Sequence, residues 1–476
     1  MTLAVSTLAG ARSEIAEEAL DALRMTIRGD VLTPDDPGYG ALRVPYNAMH
    51  PGHPGLVVRA TGVADVVDAV NFAREHGLLL AVRGGGHSVA GLSSVDGGLL
   101  IDLGAMNGVD VDPDAGLVRV QGGALLGDMD RNTMAFGLVA PGGVVSDTGV
   151  AGLTLGGGEG WMRRKYGLAS DNVVAAQVVC ADGEVRTASA DTNPDLYWAI
   201  RGGGGNFGIV TSITFRLHPL EPIVAFAGVF YPVGEADKVW RGYRDWAANT
   251  PDEVTSFCGS TTLPMSPHIP PEIHDTPFVA VGAVFAGDPD EGMRLFQPAR
   301  ELATPLTDIS GPLPFTAVQA AFDPFFVRGT LRSYWKSTYV SELDDEVLDI
   351  IVRRAQDRPS SRVFLITFQM GGAINRVDPE ATAYCERTAN WMVSVDGNWT
   401  DPSEDDQVIG WVRDTWAEVD KLGTGTTYLN FTGLEDEATN TGVASAFGRN
   451  LTRLHELKAK YDPENLFRLN NNIAPA

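Results

Sequence analysis

The chain is short of cysteine, of basic charge and of long apolar runs. Its 476 residues hold three cysteines, Cys180, Cys258 and Cys385, far apart in sequence. That spacing excludes a disulfide framework and a cysteine zinc site, so no metal is expected, and it fits a reducing, cytoplasmic setting. Lys and Arg number 36 against 61 Asp and Glu, a net charge of −25, which argues against nucleic acid and anionic membrane as partners. No apolar stretch reaches bilayer-crossing length. The N-terminal stretch MTLAVSTLAGARSEIAEEAL has no basic residue ahead of its mildly apolar start; it reads as a loose end running into a helix, not as a signal peptide.

Glycine is what stands out, because it is unevenly spread. Between Arg83 and Gly208 lie three dense clusters, RGGGHS, TLGGGEGW and RGGGGNFG. Such turns let backbone approach a ligand closely, and three in one region point to an extended ligand laid along backbone. Around them run short strand patterns: Leu56 to Arg59, Leu78 to Val82, GGLLIDL, GLVRVQGG and the alternating ITFRL ending at Leu217. Val66, Val70 and Ala73 share one face of a helix-period stretch. This is an α+β pattern with many short strands. After Pro219 the glycine clusters thin out, prolines gather at 264–277, and aromatics become prominent in FDPFF, YWKS and TANWM. A second domain is read over about 220–420, and a distinct tail from 421 to 476.

Gly203, Gly205 and Gly208 satisfy G-x-G-x-x-G, but a strand pattern follows where the dinucleotide fingerprint requires a helix, which argues against a nicotinamide site. RGGGHS is more informative. It places strand, three glycines, His87 and Ser88 in succession, and consecutive glycine N–H groups suit a pyrophosphate. His87 then stands at the end of a loop that already touches the ligand.

The string VRGGGHSVAGLSSVDGGLLIDLGAMN resembles the FAD-anchoring loop of the berberine-bridge-enzyme-like oxidases, in the vanillyl-alcohol-oxidase or PCMH-type flavoprotein superfamily. Further matches follow in order: GDMDRNTMAFGLVAPGGVVSDTGVAGLTLGGGEGWMRRKYGLASDNV, VVCADGEV, DLYWAIRGGGGNFGIVTSITFRL, YWKS, GGAINRV, YLNF and KYDPENLFRLNNNIAP. The resemblance implies a PCMH-type FAD-binding domain of two α/β subdomains over 1–219, with its core about 51–219. It also implies a substrate domain built on an antiparallel sheet covered by helices over 220–420, and a segment over 421–476 that returns to the FAD domain.

The resemblance also assigns residues. His87 is the covalent link to the flavin 8α-methyl carbon. Arg83, Gly84, Gly85, Gly86 and Ser88 cradle the pyrophosphate. Asp147, Thr148, Gly152, Gly157 and Gly158 line the adenosine and isoalloxazine path, Val210 touches the adenine side, and Asn470 and Asn472 return to the flavin ring. Many members add a second link from a cysteine; here that position is Ala151, so a single link through His87 is expected. Tyr428 in YLNF is the catalytic base or substrate-orienting hydroxyl, or else a strand tyrosine packing its ring. As a base it needs a nearby positive charge to lower its pKa, for which Lys336 in YWKS is the candidate.

Trp161, Trp335, Phe325 and Phe326 are pocket wall or core. His268 and His274 are expected to be exposed. Glu159 stands where some relatives have histidine and receives no role. The implied enzyme is an FAD-linked oxidase that removes hydride from a C–H beside an alcohol or amine of a small-molecule, secondary-metabolite substrate. It passes the electrons to O2 to give H2O2 and acts as a monomer or homodimer. Oxidative or net non-redox cyclisation, a non-O2 acceptor, and FAD binding without catalysis are the alternatives.

Overall fold

A four-stranded sheet carries the first glycine loop. In the computed structural model, which describes residues 2–267, 270–433 and 443–476, the strand Leu56–Arg59, helix Val63–Glu75 and strand Leu80–Arg83 form a β-α-β unit. Leu99–Asp102 lies between those two strands and parallel to both; Asp30–Leu32 adds an antiparallel edge. The apolar run of Leu99–Asp102 is buried throughout, as expected of a strand covered on both faces. Val66, Ala69, Val70 and Ala73 turn the helix onto the sheet. RGGGHS leaves the carboxyl end of Leu80–Arg83, where ligands of open parallel sheets collect.

The expected loose N-terminus is instead a hairpin, Thr2–Ser6 paired with Arg12–Ala16, ahead of helix Glu17–Thr26. Its period-2 pattern buries Val5 and Ile15 in the same core as Leu56 and Val66. That burial, and not local propensity alone, holds it.

A second, five-stranded antiparallel sheet runs in the order Val185–Ser189, Val173–Val179, Ile209–Arg216, Leu117–Gln121, Val109–Asp112. RGGGGNFG feeds directly into the strand Ile209–Arg216, so its glycines open no helix. Cys180 stands at the turn after Val173–Val179.

The third sheet has eight strands. Its order is Thr307–Asp308, Ile223–Pro232, Phe278–Phe285, Val254–Thr261, Phe364–Gln369, Trp391–Trp399, Arg332–Val340, with Gly311–Pro314 also on Ile223–Pro232. Among the described residues, its strands pair antiparallel throughout. Alternation gives the sheet two unlike faces. Val393, Val395, Leu365 and Tyr334 pack beneath helices Ala236–Ala247, Asp345–Gln356 and Asp405–Asp420. The opposite residues, Ser394, Asp396, Phe364 and Trp335 among them, face the glycine-rich half.

The tail closes back on that half. On helix Leu451–Tyr461, fully buried Lys458 donates to the Asp462 carboxylate at 2.6 Å, to the Asn206 carbonyl at 2.9 Å and to the Phe467 carbonyl at 3.1 Å. Asp462 also accepts the backbone N–H groups of Leu466 and Phe467. Asn206, from RGGGGNFG, binds the Asn471 carbonyl and the Ile473 N–H. KYDPENLFRLNNNI is therefore a buried polar knot that fixes the asparagine run beside the glycine loops. Among the described residues, no helix is long and apolar enough to cross a membrane.

Candidate active site

Glycine loops below and the inward face of the large sheet above enclose a cavity of about 570 Å³. Gly84, Gly85, Gly86, His87, Ser88, Thr148, Gly152, Val210, Asn470 and Tyr428 all line it. The loops need glycine for physical reasons. A Cβ on Gly85 would fall 2.3 Å from the Gly149 nitrogen, and one on Gly84 2.8 Å from the Gly122 carbonyl oxygen, while Gly86 has φ of 68°. Gly152 meets nothing within 4 Å on its open side. These loops are packed back to back against protein and leave their other side free for a ligand.

His87 stacks on Tyr46, with ring centroids 4.1 Å apart and planes 14° from parallel. Tyr46 is held in place because its N–H donates to the Gly86 carbonyl at 2.9 Å. The His87 Nε2 is buried with no hydrogen-bond partner, an arrangement that calls for an explanation. Burial, assisted by the Arg328 charge, pushes the imidazole pKa down to about 3. The ring is thus neutral, with a free nitrogen lone pair at the cavity wall. An orphaned ring nitrogen, a glycine cradle and the buried, unpartnered Oδ1 of Asn470 fit a flavin dinucleotide.

Other expected residues lie behind the wall. Arg83 does not offer its charge to the cavity: its Nε donates to Asp102 at 2.6 Å, and both side chains are buried. This pair ties the ends of adjacent parallel strands. Asp147 pairs with Arg328 at 3.1 Å, and Arg328 also donates to the Gly85 carbonyl at 2.6 Å. Gly157 backs onto Tyr384 and Gly158 onto Ala169, both at positive φ. Asn472 is off the wall as well. Trp161, Trp335, Phe325 and Phe326 line the cavity. Ala151 lines it too, and none of the three buried cysteines does. His274 is half-buried, its Nε2 3.1 Å from the Ser266 carbonyl; His268 lies outside the described residues.

Lys336 cannot serve Tyr428. It sits on the helix-covered face of the sheet, its ammonium 4.0 Å from the centre of the Trp416 ring. Nor is Tyr428 a strand residue; it precedes the short helix Leu429–Phe431. Its buried hydroxyl oxygen accepts from the N–H groups of Gly158 and Glu159, each at 3.2 Å, and from the Asn430 amide at 2.9 Å. Burial and the Glu159 charge hold its pKa well above the usual phenol range. Tyr428 stays protonated with its oxygen saturated by donors, so its own proton is the group left to offer a ligand.

Two carboxyl groups on the wall carry chemistry that sequence reasoning left unassigned. Glu159 accepts from the Tyr339 hydroxyl at 2.5 Å and the Tyr384 hydroxyl at 3.1 Å through Oε1, while its Oε2 is buried and unpartnered. Burial pushes its pKa up. Asp396, on the strand Trp391–Trp399, is 4% exposed; it accepts from the Ser394 hydroxyl, and burial pushes it up to about 7. The signal for Asp396 was available in WMVSVDGNW, where a lone carboxyl interrupts apolar and small residues. Which face it takes depends on topology.

Residues 54–189 match the family described as FAD binding domain, and residues 427–474 the family described as berberine and berberine like. The FAD-linked oxidoreductase YgaK of Bacillus subtilis (strain 168) is 30% identical over 455 residues, covering 94% of this chain and 97% of the relative. The (R)-6-hydroxynicotine oxidase of Paenarthrobacter nicotinovorans is 28% identical over 485 residues, 95% of this chain and 98% of the relative. The solved structure of 6-hydroxy-D-nicotine oxidase from Arthrobacter nicotinovorans is similar at TM-score 0.84 and 28% identity, over 95% of this chain and 99% of that one. That of Physcomitrella patens BBE-like 1 reaches 0.85 at 26% identity, over 96% and 99%.

Proposed function

Because the chain belongs to the berberine-like FAD-linked oxidoreductases, we propose that it is an oxidase whose FAD is bonded to the protein through His87 alone. In this reading it oxidises a C–H beside an alcohol or amine of a small molecule, with O2 as the acceptor. The observation that carries it is the neutral His87 ring, its Nε2 buried and unpartnered beside the glycine cradle. A nucleophilic imidazole must be unprotonated, and burial keeps this one so across the working pH range.

Gly84, Gly85, Gly86 and Ser88 would hold the pyrophosphate, with Thr148, Gly152 and Val210 along the cofactor and Asn470 at its far side. Arg83, Asp147, Gly157 and Gly158 brace these residues from behind, and Asn472 extends the asparagine run beside Asn470. Bound FAD supplies the hydride acceptor and the route of electrons to O2, yielding H2O2. Residues 220–420 supply the roof of the substrate site. Asp396, titrating near neutral pH, takes the hydroxyl or amine proton. Tyr428 touches the reacting end of the substrate and orients it through its O–H. The likeness to a relative named as a hydroxynicotine oxidase supports an amine over a sugar. A secondary-metabolite substrate and a cytoplasmic location complete the proposal.

Acid precipitation of the purified protein tests the attachment. A yellow pellet is expected from the native chain and a colourless one from His87→Ala. A native pellet that loses its colour, or a variant that keeps it, rules the attachment out. Peroxide release from a panel of amines and alcohols tests the reaction, and oxidation without peroxide would point to another acceptor.

A further inference from the structure

We propose that the substrate is an aromatic or otherwise apolar molecule carrying a protonated amine, recognised by Glu159, and that carboxylated or phosphorylated molecules are excluded; this rests on the oxidase reading. The evidence is the charge of the wall. Among the described residues lining the cavity there is no Lys or Arg, whereas Glu159 and Asp396 are both there. Every cation close by is turned away or already engaged. Lys336 lies on the far face of the sheet against Trp416. Arg163, just behind the wall, donates to the carbonyls of Gln369, Gly160 and Ser256, and its charge favours the ionised form of Glu159 without reaching the cavity. Arg328 is held by Gly85 and Asp147, and Arg83 by Asp102.

The anionic part of the cofactor needs none of these side chains, because backbone N–H groups serve it. An anionic substrate would have no such provision. It would meet carboxyl groups and apolar rings, with no cationic side chain on the wall to offset its desolvation. A cation meets the reverse. Phe257, Phe364, Phe368 and Trp335 from the roof and Phe431 from the tail offer ring faces and edges, the surroundings that favour an ammonium. Glu159 supplies the directional contact: Tyr339 and Tyr384 fix Oε1, and Oε2 is left buried on the wall without a donor. Glu159 is therefore the specificity-determining residue.

Calorimetric titration of the holoprotein with phenethylamine and with 3-phenylpropionate tests this. The two probes share a ring and a carbon chain and differ in the sign of charge. Phenethylamine is expected to bind at least about tenfold more tightly. Glu159→Gln should weaken it by about tenfold without weakening 3-phenylpropionate. Equal or tighter binding of the carboxylate, or binding of neither probe, overturns the proposal. So does a Glu159→Gln holoprotein with an unchanged ratio of affinities and an altered flavin spectrum, which would place Glu159 on the cofactor. If Glu159→Gln is recovered without flavin, the comparison of probes on the native protein decides alone. A protein that prefers the amine yet oxidises no amine or alcohol sinks the oxidase reading and leaves only the charge preference of the cavity standing.

Discussion

Replacing Asp130 by Asn should make stability less sensitive to pH, by an amount the structure sets. Asp130 lies on helix Leu126–Met134, is 3% exposed, and its Oδ2 has no hydrogen-bond partner. Burial without compensation pushes its pKa from 3.8 to about 8. A carboxyl whose folded pKa lies above its unfolded value binds protons more tightly when folded. Its stabilising effect is therefore complete below about pH 4 and is lost as pH rises through about 8. The shift spans about 4 units at about 1.36 kcal/mol each, roughly 5 kcal/mol across that window. Asn carries no charge to desolvate. Urea unfolding followed by circular dichroism, run at unit steps from pH 5 to 9, should show the variant gaining on the native chain at each step, with the gain levelling off above pH 8. Parallel curves would refute the reasoning, because they would mean that Asp130 ionises as freely in the fold as outside it.

Asp396→Asn should lower turnover by about 10²–10⁴ and abolish the rise of activity with pH through about 7, read from the pH profile on any substrate found. Tyr428→Phe strips two backbone N–H groups and the Asn430 amide of their shared acceptor, so it should cost about 1–3 kcal/mol in denaturant unfolding as well as turnover. Gly85→Ala drives a Cβ into the Gly149 backbone and should yield protein with little flavin, seen as a reduced ratio of visible to ultraviolet absorbance. Lys458→Met leaves Asp462 unpaired at 0% exposure, and a loss of about 3–5 kcal/mol is expected; a change under 1 kcal/mol would show that the two backbone N–H groups alone satisfy the carboxylate.

The glycine-rich half of the fold was legible because its constraints are local. Gly85 and Gly86 are required by backbone approach and by positive φ, and both demands show in the sequence as glycine. The same holds for Leu56–Arg59 and for Val66, Val70 and Ala73, whose periods match their burial. The roof was not legible, because its meaning lies in which face of a strand turns inward. Trp335 and Lys336 are neighbours in YWKS, yet Trp335 lines the cavity and Lys336 stands against the opposite helix. A one-residue difference in parity separates a site residue from a cation packed under the helix layer. Tyr46 escaped for a different reason: its contact with His87 spans 41 positions that no motif links. A charge beside a phosphate loop invites a ligand role for Arg83, and its pairing with Asp102 could not be read locally because Asp102 belongs to the adjacent strand.

The two halves of the cavity are mechanically joined, and this bears on how the site should be perturbed. Asp323 of the substrate domain accepts from the Ser146 N–H at 2.9 Å and its hydroxyl at 2.5 Å. Five residues later, Arg328 grips the Gly85 carbonyl. Asn47 bridges the Val89 and Ser333 carbonyls at 2.5 and 2.7 Å, joining the loop after His87 to the strand that carries Trp335. Tyr428 fastens the tail to Gly158. The roof is thus hung from the glycine loops at several points, and the position of Asp396 on the cavity wall is set by the same contacts that position His87. Substitutions at Asp323 or Arg328, outside the chemistry, should therefore act on flavin retention and turnover together. Those at Asp396 should spare flavin retention and act on turnover alone.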